Sequence, residues 1–237
     1  MSSPVQSNLK SILIIFVLLF SHAYCIGVGA YKIPPFNQLQ WLKRSFMHKS
    51  NDEFSVYYVQ KKSMFEKIDS EKTIVMIGDS ITDGCEWAEI FNRMDIANRG
   101  IGGDTTAGVL NRIDSILSIK PKKAFIMLGI NDIFHELPVE RVFENYRKII
   151  SELKGAGIEV IIQSTLFVGE RISEKNKSVE ILNQMLQTYC QQNSVRYVDL
   201  NSTLAPDGKL SSQFSNEGVH LLGDGYLKWK EAINPYL

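Results

Sequence analysis

Four short blocks of the sequence carry residues suited to chemistry. They are Gly78-Asp79-Ser80-Ile81-Thr82-Asp83-Gly84, Asn98-Arg99-Gly100-Ile101-Gly102-Gly103-Asp104-Thr105-Thr106, Gly129-Ile130-Asn131-Asp132 and Asn216-Glu217-Gly218-Val219-His220. Together they supply a hydroxyl, a glycine-rich turn, a carboxamide, and a carboxylate three positions ahead of an imidazole. Nucleophilic acyl transfer needs such a set. A serine hydroxyl attacks poorly until a base removes its proton, and imidazole is the side chain best suited to be that base near neutral pH, which points to Ser80 and His220. The base needs a partner that fixes its tautomer and stabilises its charged form; Glu217 can present its carboxylate from a tight loop. The tetrahedral intermediate needs donors aimed at its oxyanion. Ser80 N–H sits where a helix is expected to begin and backbone donors are free. Gly103 N–H can approach closely for want of a side chain, and Asn131 offers its side-chain amide. Losing one such donor typically costs ~3–4 kcal/mol of transition-state stabilisation.

Each block alone has a plainer structural reading. Gly-Asp-Ser after a strand is often a turn and a helix cap, the Gly102-Gly103-Asp104-Thr105 run a helix entry capped by Asp104 or Thr105, Asn131-Asp132 a turn, and His220 a structural histidine. It is their joint occurrence, in order and each after a strand, that carries the functional reading; Asp79 and Asp132 are read as braces for these loops. Gly100, Gly102 and Gly103 do not form a GxGxxG dinucleotide signature, because Thr105 holds the last place and the run follows the second strand rather than the first. Thr82 likewise stands where a GxSxG elbow needs its second glycine. His22, His48, His135 and His220 form no HExxH or Cys/His cluster, so no metal site and no cofactor are expected. Cys25, Cys85 and Cys190 contain no CxxC pair, and Cys85 and Cys190 are read as buried free thiols.

The elements that must position these residues alternate along the chain. Thr73–Gly78, Lys123–Gly129 and Ile158–Ser164 are short, nearly continuous apolar runs; Asp95–Asn98 and Val195–Leu200 complete five expected strands. Helical spacing marks 52–68, Glu86–Phe91, Thr105–Ile119, Val139–Leu153, Ser178–Cys190 and Tyr226–Ile233. Trp87 and Phe134 are read as core rather than as cleft lining. Strands apolar throughout are buried on both faces, hence a parallel sheet covered by helices. The expected architecture is an α/β three-layer α/β/α sandwich of about five strands, whose ligands bind at the carboxyl ends of the strands, where the four blocks fall.

At 237 residues the chain suffices for one sizeable core and is thin for two. Its 44% hydrophobic and 22% charged residues exclude a disordered or fibrous protein. With 26 basic against 26 acidic residues it lacks the footprint of a nucleic-acid binder, and no nucleic-acid partner is expected. Ile12–Phe20 is an unbroken apolar run of nine residues, too short for a stable membrane span, with Ala23 and Cys25 behind it. Residues 1–25 therefore read as a signal peptide, 26–70 as a helical extension packing on the core, and 71–237 as the main domain. The protein is expected to be exported, periplasmic or secreted; a lipid anchor on Cys25 is the rival reading.

From Thr73 onward the chain resembles the SGNH, or GDSL, hydrolase family. GDSITDG resembles its first block, NRGIGGDTTAG the second, GIND the third and EGVHL the last. The resemblance implies a flavodoxin-like strand order, Ser80 as nucleophile and amide donor, Gly103 and Asn131 as further oxyanion donors, and His220 as base. The last block is usually DxxH; here Glu217 holds the acid's place, and either its longer side chain or a backbone carbonyl orients the ring. Wording around Ser80 and Gly103 is similar to platelet-activating-factor acetylhydrolase-like and sugar O-acetylesterase members. The resulting expectation is a serine esterase removing acetyl or short acyl groups from a small-molecule or glycan ester. The rivals are a lysophospholipase or thioesterase for longer chains and a non-catalytic carbohydrate-binding module.

Overall fold

The structure is a computed structural model that describes residues 54–68 and 70–237. The apolar run at 12–20, Cys25 and most of the extension at 26–70 lie outside the described residues. The core is a five-stranded parallel sheet: β1 (Ile74–Gly78), β2 (Ile96–Gly100), β3 (Lys123–Met127), β4 (Glu159–Gln163) and β5 (Arg196–Val198), in the order β2-β1-β3-β4-β5. Its register brings Gly78 beside Gly100 on one side and Met127 on the other, so the carboxyl ends of β2, β1 and β3 are level. All five residues of β1 are buried, as the unbroken apolar run requires of a strand covered on both faces. This is the α/β architecture and flavodoxin-like order expected from the sequence.

The helices are α1 (Val56–Phe65), α2 (Ser80–Asp83), α3 (Trp87–Ile90), α4 (Thr106–Asn111), α5 (Ile113–Leu117), α6 (Ile130–Phe134), α7 (Val139–Gly155), α8 (Asn176–Gln192), α9 (Asn201–Leu204) and α10 (Gly223–Ile233). α4, α5 and α8 all pack on α7, whose stripe Val142, Tyr146, Ile149, Ile150 and Leu153 is fully buried. α9 packs on α10. Trp87 of α3 meets Trp229 of α10 edge to face, with ring centroids 4.9 Å apart. Two groups of helices result. Trp87 is core, and Phe134 packs half-buried against it. Cys85 and Cys190 are free and buried.

Several elements differ from their expected bounds by a few residues, and in three the local reason is visible. The helix expected over Thr105–Ile119 breaks at Arg112, whose backbone (φ −122, ψ 17) leaves the helical region as its side chain turns inward. α7 runs two residues beyond Leu153 before the amides of Gly157 and Ile158 bond back to Lys154 and Leu153. β5 is three residues long because its pairing passes to a side chain: Ser164 N donates to Val198 O, and Leu200 N then donates to Ser164 Oγ.

Arg112 is the buried cation that ties these loops together. Its Nε donates to Asp104 Oδ2 at 2.8 Å, and its Nη2 to Arg99 O at 2.8 Å and Gly78 O at 3.3 Å. Both side chains of the ion pair are fully buried. Breaking a buried pair from one side leaves an uncompensated charge. Arg112→Met is therefore expected to lower unfolding free energy by about 3–5 kcal/mol, read from urea denaturation; a loss under about 1 kcal/mol would show the pair to be dispensable.

Candidate active site

The first block folds into the shortest possible helix entry. β1 ends at Gly78, and Asp79 caps α2, its Oδ1 accepting from Ile81 N at 3.0 Å. Ser80 is thus the first residue of a helix, with its amide among those lacking an intrahelical acceptor. The last block reaches the same place from the other end of the chain. Ser215 Oγ accepts from Gly218 N at 2.9 Å, and Glu217 Oε1 accepts from Val219 N and His220 N. That oxygen also lies 3.0 Å from His220 Nδ1, while His220 Nε2 lies 2.9 Å from Ser80 Oγ across 140 positions of sequence.

The tautomer follows from the partners. Partial burial would raise the Glu217 carboxyl, but the amides of His220 and Val219 and the facing imidazole overcome this and hold it below its ordinary range. An ionised carboxylate only accepts, so Nδ1 must carry the proton and Nε2 accepts from the Ser80 hydroxyl. The side chains of His220 and Glu217 are about half exposed, at 53% and 49%, so the site opens directly on the surface. Glu217 reaches the ring despite standing where the resembled block has Asp.

Gly103 has φ +76, a left-handed conformation that glycine adopts without strain, and a Cβ built there would meet nothing within 4 Å. Among the described residues no acceptor takes its amide. Asn131, in the first turn of α6, donates one Nδ2–H to Asp104 O at 2.9 Å, which sets the carboxamide beside the turn that carries Gly103 and leaves its second N–H uncommitted to that bond. The neighbouring acids brace these loops. Asp132 accepts from Thr106 N and, at 2.6 Å, from Thr106 Oγ1, which also accepts from Asn145. Thr105 rather than Asp104 caps α4, accepting from Gly108 N at 3.1 Å. Burial pushes the Asp79 carboxyl up to about 7, the charges of Asp104 and Asp132 adding and the Ile81 amide opposing. Asp104 is raised by burial to about 6 against the pull of Arg112, and Asp132 is raised for the same reason against its bonds from Thr106.

Sequence reasoning missed Arg112, Asn145 and Gly169. A signal existed for Arg112, which shares a helical face with the buried Val109 and Ile116 at i, i+3 and i+7. Gly169 had none. It lies in the loop after β4, donates its amide to Gly218 O at 2.7 Å, and would place a Cβ 2.8 Å from Gly218 Cα. Gly218 itself has φ +93. The loop bearing the imidazole is thus seated by backbone meeting backbone.

A doubly covered parallel sheet with a serine, an imidazole and a carboxylate in hydrogen-bond sequence at its carboxyl edge defines the class of serine ester hydrolases. Residues 76–228 match the GDSL-like Lipase/Acylhydrolase family, and the chain belongs to it. It is similar to the human platelet-activating factor acetylhydrolase IB subunit alpha2, at 28% identity over 170 residues, 68% of this chain and 73% of that one. It also resembles an N-acylneuraminate cytidylyltransferase of Streptococcus agalactiae, at 27% identity over 168 residues; these are 71% of this chain but only 39% of that protein's length. The fold is shared with a GDSL-like lipase from Bacteroides thetaiotaomicron (TM-score 0.68, 23% identity, 75% of this chain and 95% of the other). It is shared too with an acetylxylan esterase from Geobacillus stearothermophilus (TM-score 0.61, 18% identity, 71% and 95%).

Two expectations follow. Gly169→Ala should push Gly218 aside and lower esterase kcat by roughly tenfold or more while the unfolding transition stays cooperative; unchanged kcat would show that the two loops move freely. Asp79 and Asp104 hold protons more tightly folded than unfolded, where a carboxyl titrates at about 3.9. Their contribution is complete below that value and fades as pH rises toward about 7 for Asp79 and about 6 for Asp104. Asp79→Asn should therefore match wild type near pH 4, exceed its urea midpoint at pH 8, and flatten the slope between; an unchanged slope would refute the assignment.

Proposed function

We propose that the protein is an exported esterase that removes acetyl or other short acyl groups from a carbohydrate by acyl-enzyme hydrolysis, with Ser80 as nucleophile, His220 as base, Glu217 as the acid behind it, and Ser80 N, Gly103 N and Asn131 Nδ2 around the oxyanion. The observation that carries this is the unbroken run Glu217 Oε1, His220 Nδ1, His220 Nε2, Ser80 Oγ, at 3.0 and 2.9 Å. In this reading Ser80 Oγ attacks the ester carbonyl carbon as its proton passes to Nε2. The carbonyl oxygen takes the electron pair and receives hydrogen bonds from the three donors. Collapse expels the alcohol, which leaves with the proton from Nε2. Water then gives a proton to Nε2, attacks the acyl-Ser80 carbonyl, and the acid is released as Oγ recovers its hydrogen.

The short acyl group is supported by exposure. Each buried CH₂ of a long chain is worth about 0.8 kcal/mol, a gain that needs an apolar sleeve, whereas His220 and Glu217 stand half in water. An open rim suits a compact acyl group carried on a large polar alcohol. The similar acetylhydrolase subunit, and the sugar acid in the name of the streptococcal relative, support the acetyl and carbohydrate parts. Export rests on the apolar run Ile12–Phe20 followed by Ala23 and Cys25.

Wild type should hydrolyse 4-nitrophenyl acetate and release acetate from acetylated oligosaccharides. Ser80→Ala should lower kcat at least about 10⁴-fold and abolish fluorophosphonate labelling. Glu217→Ala, which removes the acceptor that holds the Nδ1–H tautomer, should cost about 10³-fold. A rate that rises from acetyl to palmitoyl esters would favour a lysophospholipase or thioesterase, and glycan binding without turnover a carbohydrate-binding module.

A further inference from the structure

We infer that Tyr57, on a helix that precedes the family-matched segment and carries none of the proposed site residues, is a positioning residue for the Gly102–Gly103 turn. The side chains of Tyr57, Tyr58, Lys61 and Phe65 on α1 reach elements that flank the site. Tyr58 Oη donates to Gly108 O at 2.7 Å and accepts from Asn111, both on the helix that follows Gly103. Phe65 lies under Arg99, 4.5 Å from its guanidinium, and 5.9 Å from that of Arg112. Tyr57 Oη donates to Asp83 Oδ2 at 2.6 Å, and Lys61 Nζ pairs with Asp83 Oδ1 at 2.8 Å. Asp83 is the last residue of the four-residue helix that begins with Ser80.

The ring of Tyr57 completes the arrangement. A Cβ built on Gly102 would stand 3.2 Å from Tyr57 Cε1, 3.3 Å from Cδ1 and 3.9 Å from Asp83 Oδ2. One edge of the ring, on a residue that is 45% exposed, therefore lies against Gly102, and the phenol oxygen reaches on to Asp83. The turn needs outside support. Its own backbone closure is the single bond from Asp104 N to Ile101 O at 3.1 Å, it contains two glycines, and Gly103 touches nothing on its Cβ side. The ring of Tyr57 backs the turn that carries the Gly103 amide. Its effect is on the transition state, because the Gly103 amide bonds the oxyanion more strongly than the ground-state carbonyl.

The inference rests on the esterase reading, and the experiment separates their failures. Steady-state kinetics on 4-nitrophenyl acetate are measured for wild type, Tyr57→Phe and Tyr57→Ala, each normalised to sites titrated with a fluorophosphonate, with Tm recorded alongside. Tyr57→Ala should lower kcat roughly tenfold with KM within about twofold. Tyr57→Phe, which keeps the ring on Gly102, should restore kcat to within about twofold of wild type. Should Tyr57→Ala not yield folded protein, Tyr57→Leu carries the same expectation, since it lacks the flat ring. Wild-type kcat in the truncated variant, a loss confined to KM, or a Phe variant as slow as the Ala one overturns the inference. An inactive wild type overturns instead the esterase reading on which it rests.

Discussion

A parallel sheet brings the ends of its strands to one edge but does not bind their loops to each other. Here that task falls to one buried guanidinium. Arg112 bonds the carbonyl at the end of β1, a carbonyl within β2, and the carboxylate of Asp104 between Gly103 and Thr105. The Ser80 loop and the Gly102–Gly103 turn are thus referred to one rigid fork rather than to each other's flexible side chains. The helix expected to run unbroken to Ile119 is interrupted to deliver this group, so Arg112 reaches the loop edge at the expense of helical continuity.

The exposed side of the site uses a second economy. One oxygen of Glu217 takes the amides of Val219 and His220 and faces the imidazole Nδ1. The group that orients the ring also closes the loop that bears it, so the ring cannot be correctly aimed in a misfolded loop. A carboxylate held by two amides stays ionised although it is only half in water, which secures the Nδ1–H tautomer of His220. The extra methylene of Glu relative to Asp is taken up within the turn.

How much of this was legible in the sequence follows from length and period. The strands were readable because TIVMIG, KAFIMLG and IEVIIQS have no polar face to hide, and α7 because its stripe repeats over four turns. Helices of four or five residues, such as Ile130–Phe134 and Asn201–Leu204, have no room for a period to show; the start of the helix at Ser80 was legible only from its place after a strand. Ser80, Gly103, Asn131 and His220 were legible as residue types after strands. What held them was not, because Arg112 sits in an apolar stripe as an exception to it, and Gly169 acts only through a backbone contact 49 positions away with Gly218.

The two sides of the site are built from opposite materials for a physical reason. Behind the oxyanion turn lie three buried carboxyls, Asp79, Asp104 and Asp132, each raised by burial and each committed to backbone or side-chain donors. In a low-dielectric interior such bonds are strong and directional: Asp132 ties α6 to the start of α4, Asp104 holds Arg112, and Asp79 caps α2 from within. In front, the imidazole and its carboxylate are open to water. A dry network behind and a wet rim in front let precise placement and open access coexist. The turn between these two zones, Gly102–Gly103, belongs to neither; it is the one segment whose placement the buried acids do not complete, which is why an aromatic ring from outside the sheet lies against it.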